Sequence, residues 1–268
     1  NGTATDIDAV FSPKGAGAFT LDAANGNIFG GNKRGFNAVD LQHSRTVANQ
    51  IASGMYSAIL SGNDNKADTL YSTVVNGYSN SNMGLYSTIV NGYGNTINQN
   101  IRHDLITSGT GNAILKPINP SIYTYSASLG VLPDNYSTIL NGVNNQLRSY
   151  GSLIGSGIAN QIYNDFYGVI LTGTSCYVSG LYDAFIGTGQ FDSTRSSQTF
   201  IGSGILQKID TLSNAAFIGA GGGMNIGFNS GNSFIGAGNT LSIGNGSGNS
   251  FIGAGNTLSI GIGSSYSF

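Results

Sequence analysis

The side chains of this chain that could do acid–base chemistry are few and scattered. All of its carboxylates are Asp, and the candidates for catalysis are Asp104, Asp134, Asp165, Asp183, Asp192 and Asp210. A glycoside hydrolase needs two carboxyl groups about 5–9 Å apart, one with a raised pKa. No two of these Asp residues occupy the same position of neighbouring sequence repeats, although Asp183 and Asp192 flank one repeat. We therefore expect solvated turn carboxylates and predict that the protein is not an enzyme.

The remaining reactive residues also predict no catalytic, cofactor or metal site. His43 and His103 are the only histidines and have unlike surroundings in the sequence, which disfavours a Ser-His-Asp triad. The single Cys176 excludes an intrachain disulfide and a Cys-rich zinc site, and we expect a packed, reduced thiol. The segment GAGGGMNIG at 219–227 has the glycines of a calcium-binding repeat but no Asp. An ion held by stacked Asn or Ser on an oligomer axis stays open as an alternative.

The composition excludes several classes of protein. Only 8% of the residues are charged, against about 25% in an ordinary soluble domain. That proportion disfavours a long coiled coil, and the lack of a Lys/Arg cluster beyond Lys33-Arg34 disfavours a nucleic-acid binder. No apolar run is long enough for a membrane-spanning helix, so we expect no membrane insertion. The chain opens at Asn1-Gly2 without Met, which predicts a processed product or a fragment.

A glycine that closes each short apolar run marks an internal repeat. Most copies are 15–17 residues apart; the 33 residues between Gly109 and Gly142 are either two coils or one coil with an insertion. Near the end the repeat is literal, because residues 231–244 and 248–261 are identical. A period this short suits one coil of a parallel β-solenoid with two short strands. The repeat glycines are Gly62, Gly77, Gly92, Gly109, Gly142, Gly157, Gly173, Gly189, Gly204, Gly221, Gly238 and Gly255.

Strand alternation gives each repeat two apolar faces. Three residues before the glycine stands Ile in every copy except one, which has Val74. We expect this column to fill the coil and to share its face with the small residue two positions on, such as Ala220 after Ile218. The other face changes from Thr/Val pairs to Phe/Gly pairs along the chain. The late packing residues are Ile186, Ile201, Ile218, Ile235 and Ile252 on one face, and Phe185, Phe200, Phe217, Phe234 and Phe251 on the other.

A coil of this size cannot cover its own second apolar face. A stripe of stacked Phe left in water would promote aggregation. We therefore predict a homo-oligomer in which the Phe/Gly face is buried around a symmetry axis.

Several segments resemble known fibre proteins. YSTVVNGYSN (71–80), YSTIVNGYGN (86–95) and YSTILNGVNN (136–145) are similar to the repeat of phage tail fibres. SFIGAGN at 233–239 and 250–256 resembles the S-x-A-I-G head repeat of YadA-type trimeric autotransporter adhesins. TDIDAVFSPKGAGAF (5–19) resembles a β-module of phage fibres, and GGNKRGFNAVDLQHSR (30–45) resembles the segment that often precedes such repeats in viral fibres.

This resemblance implies an architecture and a function. The fold would be all-β, a left-handed parallel β-roll, with three chains intertwined or side by side in a homotrimer. The function would be a rigid fibre segment of a virion that contacts other tail or fibre proteins and recognises a host receptor, a glycan or a surface protein. The location would be the virion tail or fibre. The alternatives are the head of a bacterial trimeric surface adhesin, located at the cell surface, and a polysaccharide-depolymerising tailspike.

The chain divides into an adaptor and a repeat region. We predict a β-rich N-terminal adaptor at 1–50 and the solenoid at 51–268, interrupted by an irregular insertion at 110–136 that holds three of the four prolines. Insertions in repeat folds often lie on a working surface. The insertion is either a receptor-binding surface or merely an irregular loop. The residues of the binding hypothesis are Arg102, His103, Lys116, Tyr123 and Tyr125.

A tyrosine recurs six residues before the repeat glycine. Such rings can form a structural ladder along the solenoid, or they can stack on the faces of sugars. The ladder is the favoured interpretation. The column comprises Tyr56, Tyr71, Tyr86, Tyr136 and Tyr167.

Overall fold

The structure is a computed structural model that describes residues 15–116, 136–180 and 182–268, apart from the side chains of residues 164 and 165. In these ranges the chain forms 26 short strands and no helix. The strands belong to two sheets, one of 14 strands and one of 12, which form the two sides of a solenoid. The predicted all-β parallel solenoid is confirmed.

The 14-stranded sheet, which we call sheet A, takes one strand from each coil. Its strands are β1 Phe19–Thr20, β2 Val39–Asp40, β3 Ala58–Ile59, β5 Thr73–Val74, β7 Thr88–Ile89, β9 Leu105–Ile106, β11 Thr138–Ile139, β13 Leu153–Ile158, β15 Val169–Thr174, β17 Phe185–Gln190, β19 Phe200–Ile205, β21 Phe217–Gly222, β23 Phe234–Asn239 and β25 Phe251–Asn256.

The 12-stranded sheet, sheet B, lies on the other side of the coils. Its strands are β4 Lys66–Ala67, β6 Ser81–Asn82, β8 Thr96–Ile97, β10 Ala113–Ile114, β12 Gln146–Tyr150, β14 Gln161–Phe166, β16 Tyr177–Val178, β18 Ser193–Thr194, β20 Lys208–Ile209, β22 Asn225–Ile226, β24 Ser242–Ile243 and β26 Ser259–Ile260.

Every strand pairs in parallel with the equivalent strand of the next coil. Ile106 pairs with Ile139, so the 33-residue spacing is one coil with an insertion. Most of the predicted insertion, residues 117–135, lies outside the described residues. At about 4.8 Å per strand, sheet A gives a rod roughly 60 Å long.

The interior of each coil is filled by residues of the same chain. The Ile column of sheet A is fully buried from Ile59 to Ile235, and Ile252 in the last coil is 6% exposed. Apolar residues of sheet B, such as Ile97 and Ile226, face it and are also fully buried. Inward-facing residues of the two sheets therefore form one continuous core along the rod.

One expectation about side-chain direction is wrong. The small residues two positions after the core Ile, such as Ser61, Ala220 and Ala237, are exposed. Alternation fails there because the backbone leaves the regular β conformation at the repeat glycine that follows, where Gly221 has a φ of 150°. These residues therefore face solvent and do not contribute to the interior of the coil.

Left-handed backbone positions form the corners of the coils. The residue six before the repeat glycine and the residue two after it have positive φ, as at Tyr71 (53°) and Ser79 (55°). Such a conformation costs a non-glycine residue about 1–2 kcal/mol. Hydrogen bonds between equivalent corners offset that cost, since the N–H of Tyr71 donates to the carbonyl of Met55 at 3.0 Å.

A polar column runs through the interior beside the core. Three residues after the repeat glycine, buried Asn side chains form a ladder; Asn80 Oδ1 accepts the N–H of Asn95 at 3.0 Å. Each amide nitrogen donates to a glycine carbonyl of the next coil, as Asn80 Nδ2 does to Gly92 at 2.9 Å. The oxygen and the nitrogen of each amide thus both bond backbone groups of the next coil. These bonds satisfy buried polar groups and hold neighbouring coils in register. The ladder comprises Asn65, Asn80, Asn95, Asn112, Asn145 and Asn160.

The described part of the predicted adaptor joins the same solenoid. Strands β1 and β2 extend sheet A, and Val39 pairs with Ala58 of the first regular coil. A buried ion pair lies beneath them, with Arg34 Nε 2.8 Å from Asp40 Oδ2 and both side chains almost fully buried. The boundary at residue 50 is therefore not a break in the sheet.

Candidate interaction faces

Sheet A presents a continuous uncharged face to the outside. Its outward residues are the first residue of each strand and the residue two further on, and across all 14 strands none is Asp, Lys, Arg or His. The early coils supply Thr, Val, Leu and Ala here, and the late coils supply Phe and Gly. Within the described ranges no helix covers this face.

The Phe residues of this face form a stacked row. Neighbouring ring centroids are 4.8–5.0 Å apart from Phe185 to Phe251, and the planes lie within 9° of parallel. The row is only half-covered, since Phe200 is 36% exposed and Phe251 is 43% exposed. The Ile residues that alternate with them point into the core.

The glycines beside this row are required by the next coil. A Cβ added to Gly219 would lie 2.1 Å from the carbonyl oxygen of Gly236, and one added to Gly236 would lie 2.0 Å from that of Gly253. The ring of Phe217 is 3.5 Å from the added Cβ of Gly219. Glycine thus leaves room on the outward face for both the Phe ring of its own coil and the backbone of the next coil.

Sheet B presents a polar face. Two ion pairs lie on it, Lys66 with Asp68 at 2.9 Å and Lys208 with Asp210 at 2.6 Å. The Lys208 ammonium holds the pKa of the Asp210 carboxyl below its usual value, against a smaller opposing effect of burial.

Sequence reasoning missed an arginine–tyrosine strip in the middle of this polar face. The guanidinium of Arg148 lies 5.3 Å from the ring centroid of Tyr163, and that of Arg195 lies 5.9 Å from the centroid of Tyr177. The two rings are 5.9 Å apart. Arg148, Tyr163 and Arg195 stand two residues after the first residue of their strands, whereas Tyr177 is the first residue of β16, so no single spacing in the sequence reveals the strip.

The tyrosine column forms the predicted ladder from Tyr56 to Tyr136, and Gly151 takes the same position in the next coil, so the ladder does not extend to Tyr167. Tyr56, Tyr71 and Tyr86 stack at 5.0 and 5.2 Å, and the ladder continues through His103 to Tyr136 at 5.4 and 4.9 Å. Because each ring covers the face of the next, the inner rings offer a ligand their edges rather than their faces. That arrangement disfavours stacking on sugars along the ladder.

The proposed receptor residues are only partly described. His103 is the ring between Tyr86 and Tyr136 in the ladder, and Arg102 forms a parallel bridge with Leu85 at the same corner. Lys116 is exposed and follows β10 in sheet B. Tyr123 and Tyr125 lie outside the described residues, so the structure does not show whether the five residues meet.

The expectation that the Asp residues are solvated turn carboxylates is wrong for two of them. Asp104 is 2% exposed, and its Oδ1 accepts the N–H of Ser137 at 3.0 Å in a column otherwise rich in Ser. Asp192 is fully buried in the position of the asparagine ladder, whereas Asp183 is exposed at a corner. Asp183 and Asp192 therefore do not face a common space as a catalytic pair would. Asp134 and the side chain of Asp165 are outside the described set.

The possible metal ligands of the described residues are dispersed, and the one thiol is buried. No group of three or more His, Cys or Asp side chains converges in the described ranges to hold a metal ion. Cys176 is a buried free thiol, and burial raises its pKa.

The comparisons with known proteins add no further identification. Among the described residues, no helix has the length and apolar character needed to cross a membrane. No protein-family model matches the sequence, and neither curated proteins nor solved structures give a match.

Proposed function

We propose that this chain is a structural fibre segment of a virion, a rigid homotrimeric rod of the host-attachment apparatus. The observation that carries the proposal is the uncharged outward face of sheet A, which runs the whole length of the described solenoid. The resemblance of the repeats to phage tail fibres supplies the setting in a virion and the threefold symmetry.

The partner that best fits this face is another copy of the chain. Rows of Phe and Gly recur with the strand spacing, about 4.8 Å, and a second solenoid presents rows with the same spacing. Two sheets pack face to face at about 10 Å, which removes the exposed aromatic row from water. Each coil already fills its own interior, so the chains lie side by side and are not intertwined.

Host recognition is assigned to surfaces that remain outside. Burial of sheet A leaves the polar face of sheet B, with Arg148 and Arg195, directed to solvent on every chain. Threefold repetition strengthens weak contacts by raising the effective concentration of the second and third site. We propose no catalytic activity, because the described carboxylates do not form a facing pair.

Light scattering of the native protein tests the assembly. Three chains of 27.5 kDa give 82.5 kDa, which is the expected mass. A mass of two chains would keep the buried face but reject threefold symmetry, and a mass of one chain would reject the proposed rod.

A matched pair of variants tests the face itself. Phe234→Lys and Ser242→Lys place the same charge in one coil, the first on sheet A and the second on sheet B. We expect Phe234→Lys to dissociate the assembly and Ser242→Lys to leave its mass unchanged, with the β-type circular dichroism spectrum retained in both. An unchanged mass for Phe234→Lys would show that sheet A is not the interface.

Immunogold labelling tests the setting in a virion. Antibodies raised against the chain should label the appendages of virus particles. Labelling of a bacterial cell surface instead would support the adhesin alternative, and release of reducing sugar from host polysaccharide would support the tailspike.

A further inference from the structure

A carboxyl group interrupts the column of the asparagine ladder inside the rod. After Asn160 the ladder position is occupied by Cys176, then Asp192, then Gln207. Like the Oδ1 of each ladder Asn, Asp192 Oδ1 accepts a hydrogen bond from the backbone N–H of the next ladder residue, here Gln207 at 2.9 Å. Its side chain is fully buried.

The other carboxyl oxygen occupies the place of an amide nitrogen. A Cβ added to the repeat glycine would meet the amide nitrogen at 2.4 Å in the coil of Asn145 and at 2.6 Å in that of Asn160. At Gly189 the same point lies 1.9 Å from Asp192 Oδ2. The oxygen therefore takes the position from which these amides donate.

That position requires a hydrogen-bond donor. Asn145 and Asn160 donate from it to the glycine carbonyl of the next coil at 3.0 and 2.9 Å, and the equivalent acceptor for Asp192 is Gly204. Asp192 Oδ2 has no hydrogen-bond partner. An ionised carboxylate only accepts hydrogen bonds, whereas a protonated one can donate from this oxygen.

The neighbours of Asp192 offer no charge that would stabilise the ionised form. Cys176 precedes it in the column with a buried thiol, and Gln207 follows with a neutral amide. Burial raises the pKa of Asp192 to about 6, against the smaller opposing effect of the Gln207 N–H.

We propose that Asp192 carries a proton on Oδ2 in the folded rod and donates a hydrogen bond from it to the Gly204 carbonyl, so that its coil is more stable in acid than at neutral pH. When the proton leaves to solvent, a carboxylate oxygen faces a carbonyl inside the core. The folded state binds this proton more tightly than the unfolded chain does. The stabilisation is therefore complete below the unfolded pKa and is lost as the pH rises through about 6.

Thermal and urea unfolding of the full chain at pH 4 and pH 7.5 tests the proposal. Asp192→Asn restores the amide of the ladder and does not ionise. Relative to wild type, we expect it to lower the unfolding equilibrium constant about fiftyfold more at pH 7.5 than at pH 4, since two pKa units correspond to about a hundredfold and about half of the unfolded carboxyls are already ionised at pH 4. Asp210→Asn, on the exposed sheet B pair, is the control and should show no such gain at pH 7.5. An equal effect of Asp192→Asn at both pH values would overturn the proposal.

Infrared spectroscopy reads the proton directly. At pH 5, where exposed carboxyls are ionised, the wild type should show the C=O band of a protonated carboxylic acid, and Asp192→Asn should lack it. Loss of the band between pH 5 and 7.5 would support the proposal, and its absence from wild type at pH 5 would reject it. The infrared measurement does not depend on the oligomeric state, and the unfolding measurements are compared at one chain concentration, because unfolding of an oligomer is coupled to its dissociation.

Discussion

Phe217 stacks on Phe234 with ring centroids 4.8 Å apart and planes 5° from parallel, while Ile218 beside it points into the core and is fully buried. Two adjacent residues thus contribute to two different environments. The ring lies on an open face between two neighbours of its own kind, and the aliphatic side chain is enclosed by its own coil.

Truncating these two residues should separate the contributions. Ile218→Ala creates a cavity in a closed core and should cost about 2–5 kcal/mol of unfolding free energy. Phe217→Ala loses two aromatic contacts, each worth about 0.5–1.5 kcal/mol, and should cost less in the dissociated chain. Urea unfolding monitored by circular dichroism measures both. A larger cost for Phe217→Ala at dissociating concentrations would mean that the chain itself covers this face.

The glycine row gives a second prediction with its own internal control. Gly219→Ala drives a Cβ against the Gly236 carbonyl and should destabilise the rod by about 1–3 kcal/mol. Gly253→Ala, in the last coil, meets only the ring of Phe251 at 3.3 Å and should cost less. Melting temperatures of the two variants are the measurement. Similar losses would show that the clash with the next coil is not the reason for glycine.

The amide ladder should be intolerant of truncation. Asn145 bonds the N–H of Asn160, the side chain of Asn112 and the carbonyl of Gly157, each at 3.0 Å. Asn145→Ala leaves buried partners unsatisfied and should cost more than about 2 kcal/mol. Asn141→Ala, at an exposed position of the same coil, is the control and should cost less than about 1 kcal/mol in the same urea titration.

The buried ion pair near the start of the solenoid should depend on both partners. Arg34→Met leaves Asp40 buried without its partner 2.8 Å away, and we expect a loss of about 3–5 kcal/mol. Adding Asp40→Leu should recover much of that loss, because the uncompensated charge is removed. A double-mutant cycle measured by unfolding gives the coupling. Additive losses would contradict the pairing.

The positions of the buried apolar residues follow well from the sequence, and those of the buried polar residues follow poorly. The Ile column and the repeat glycine predict the parallel solenoid, because few other folds place an apolar residue at one fixed position every 15–17 residues. The buried positions of Asn95, Asp104 and Asp192 were missed, since such residues ordinarily mark exposed turns. Only the stacking of one coil on the next turns them inward.

The interaction faces were predictable to different degrees. The Phe/Gly alternation in the sequence predicts an outward apolar row, and the structure adds that the outward positions of sheet A are uncharged from β1 to β25. The strip from Arg148 to Arg195 was not predicted, because its strands are two to six residues long and give no periodic signal. Such short strands become recognisable only once their pairing partners are known.

The in-register pairing of identical coils gives the rod a modular length. Residues 231–244 and 248–261 have the same sequence, and Ile235 pairs with Ile252 as Ile218 pairs with Ile235. Duplicating or deleting one such 17-residue unit would change the length by about 4.8 Å and would leave every face aligned. The length of the rod can therefore change in steps of one coil while the composition of its faces stays the same.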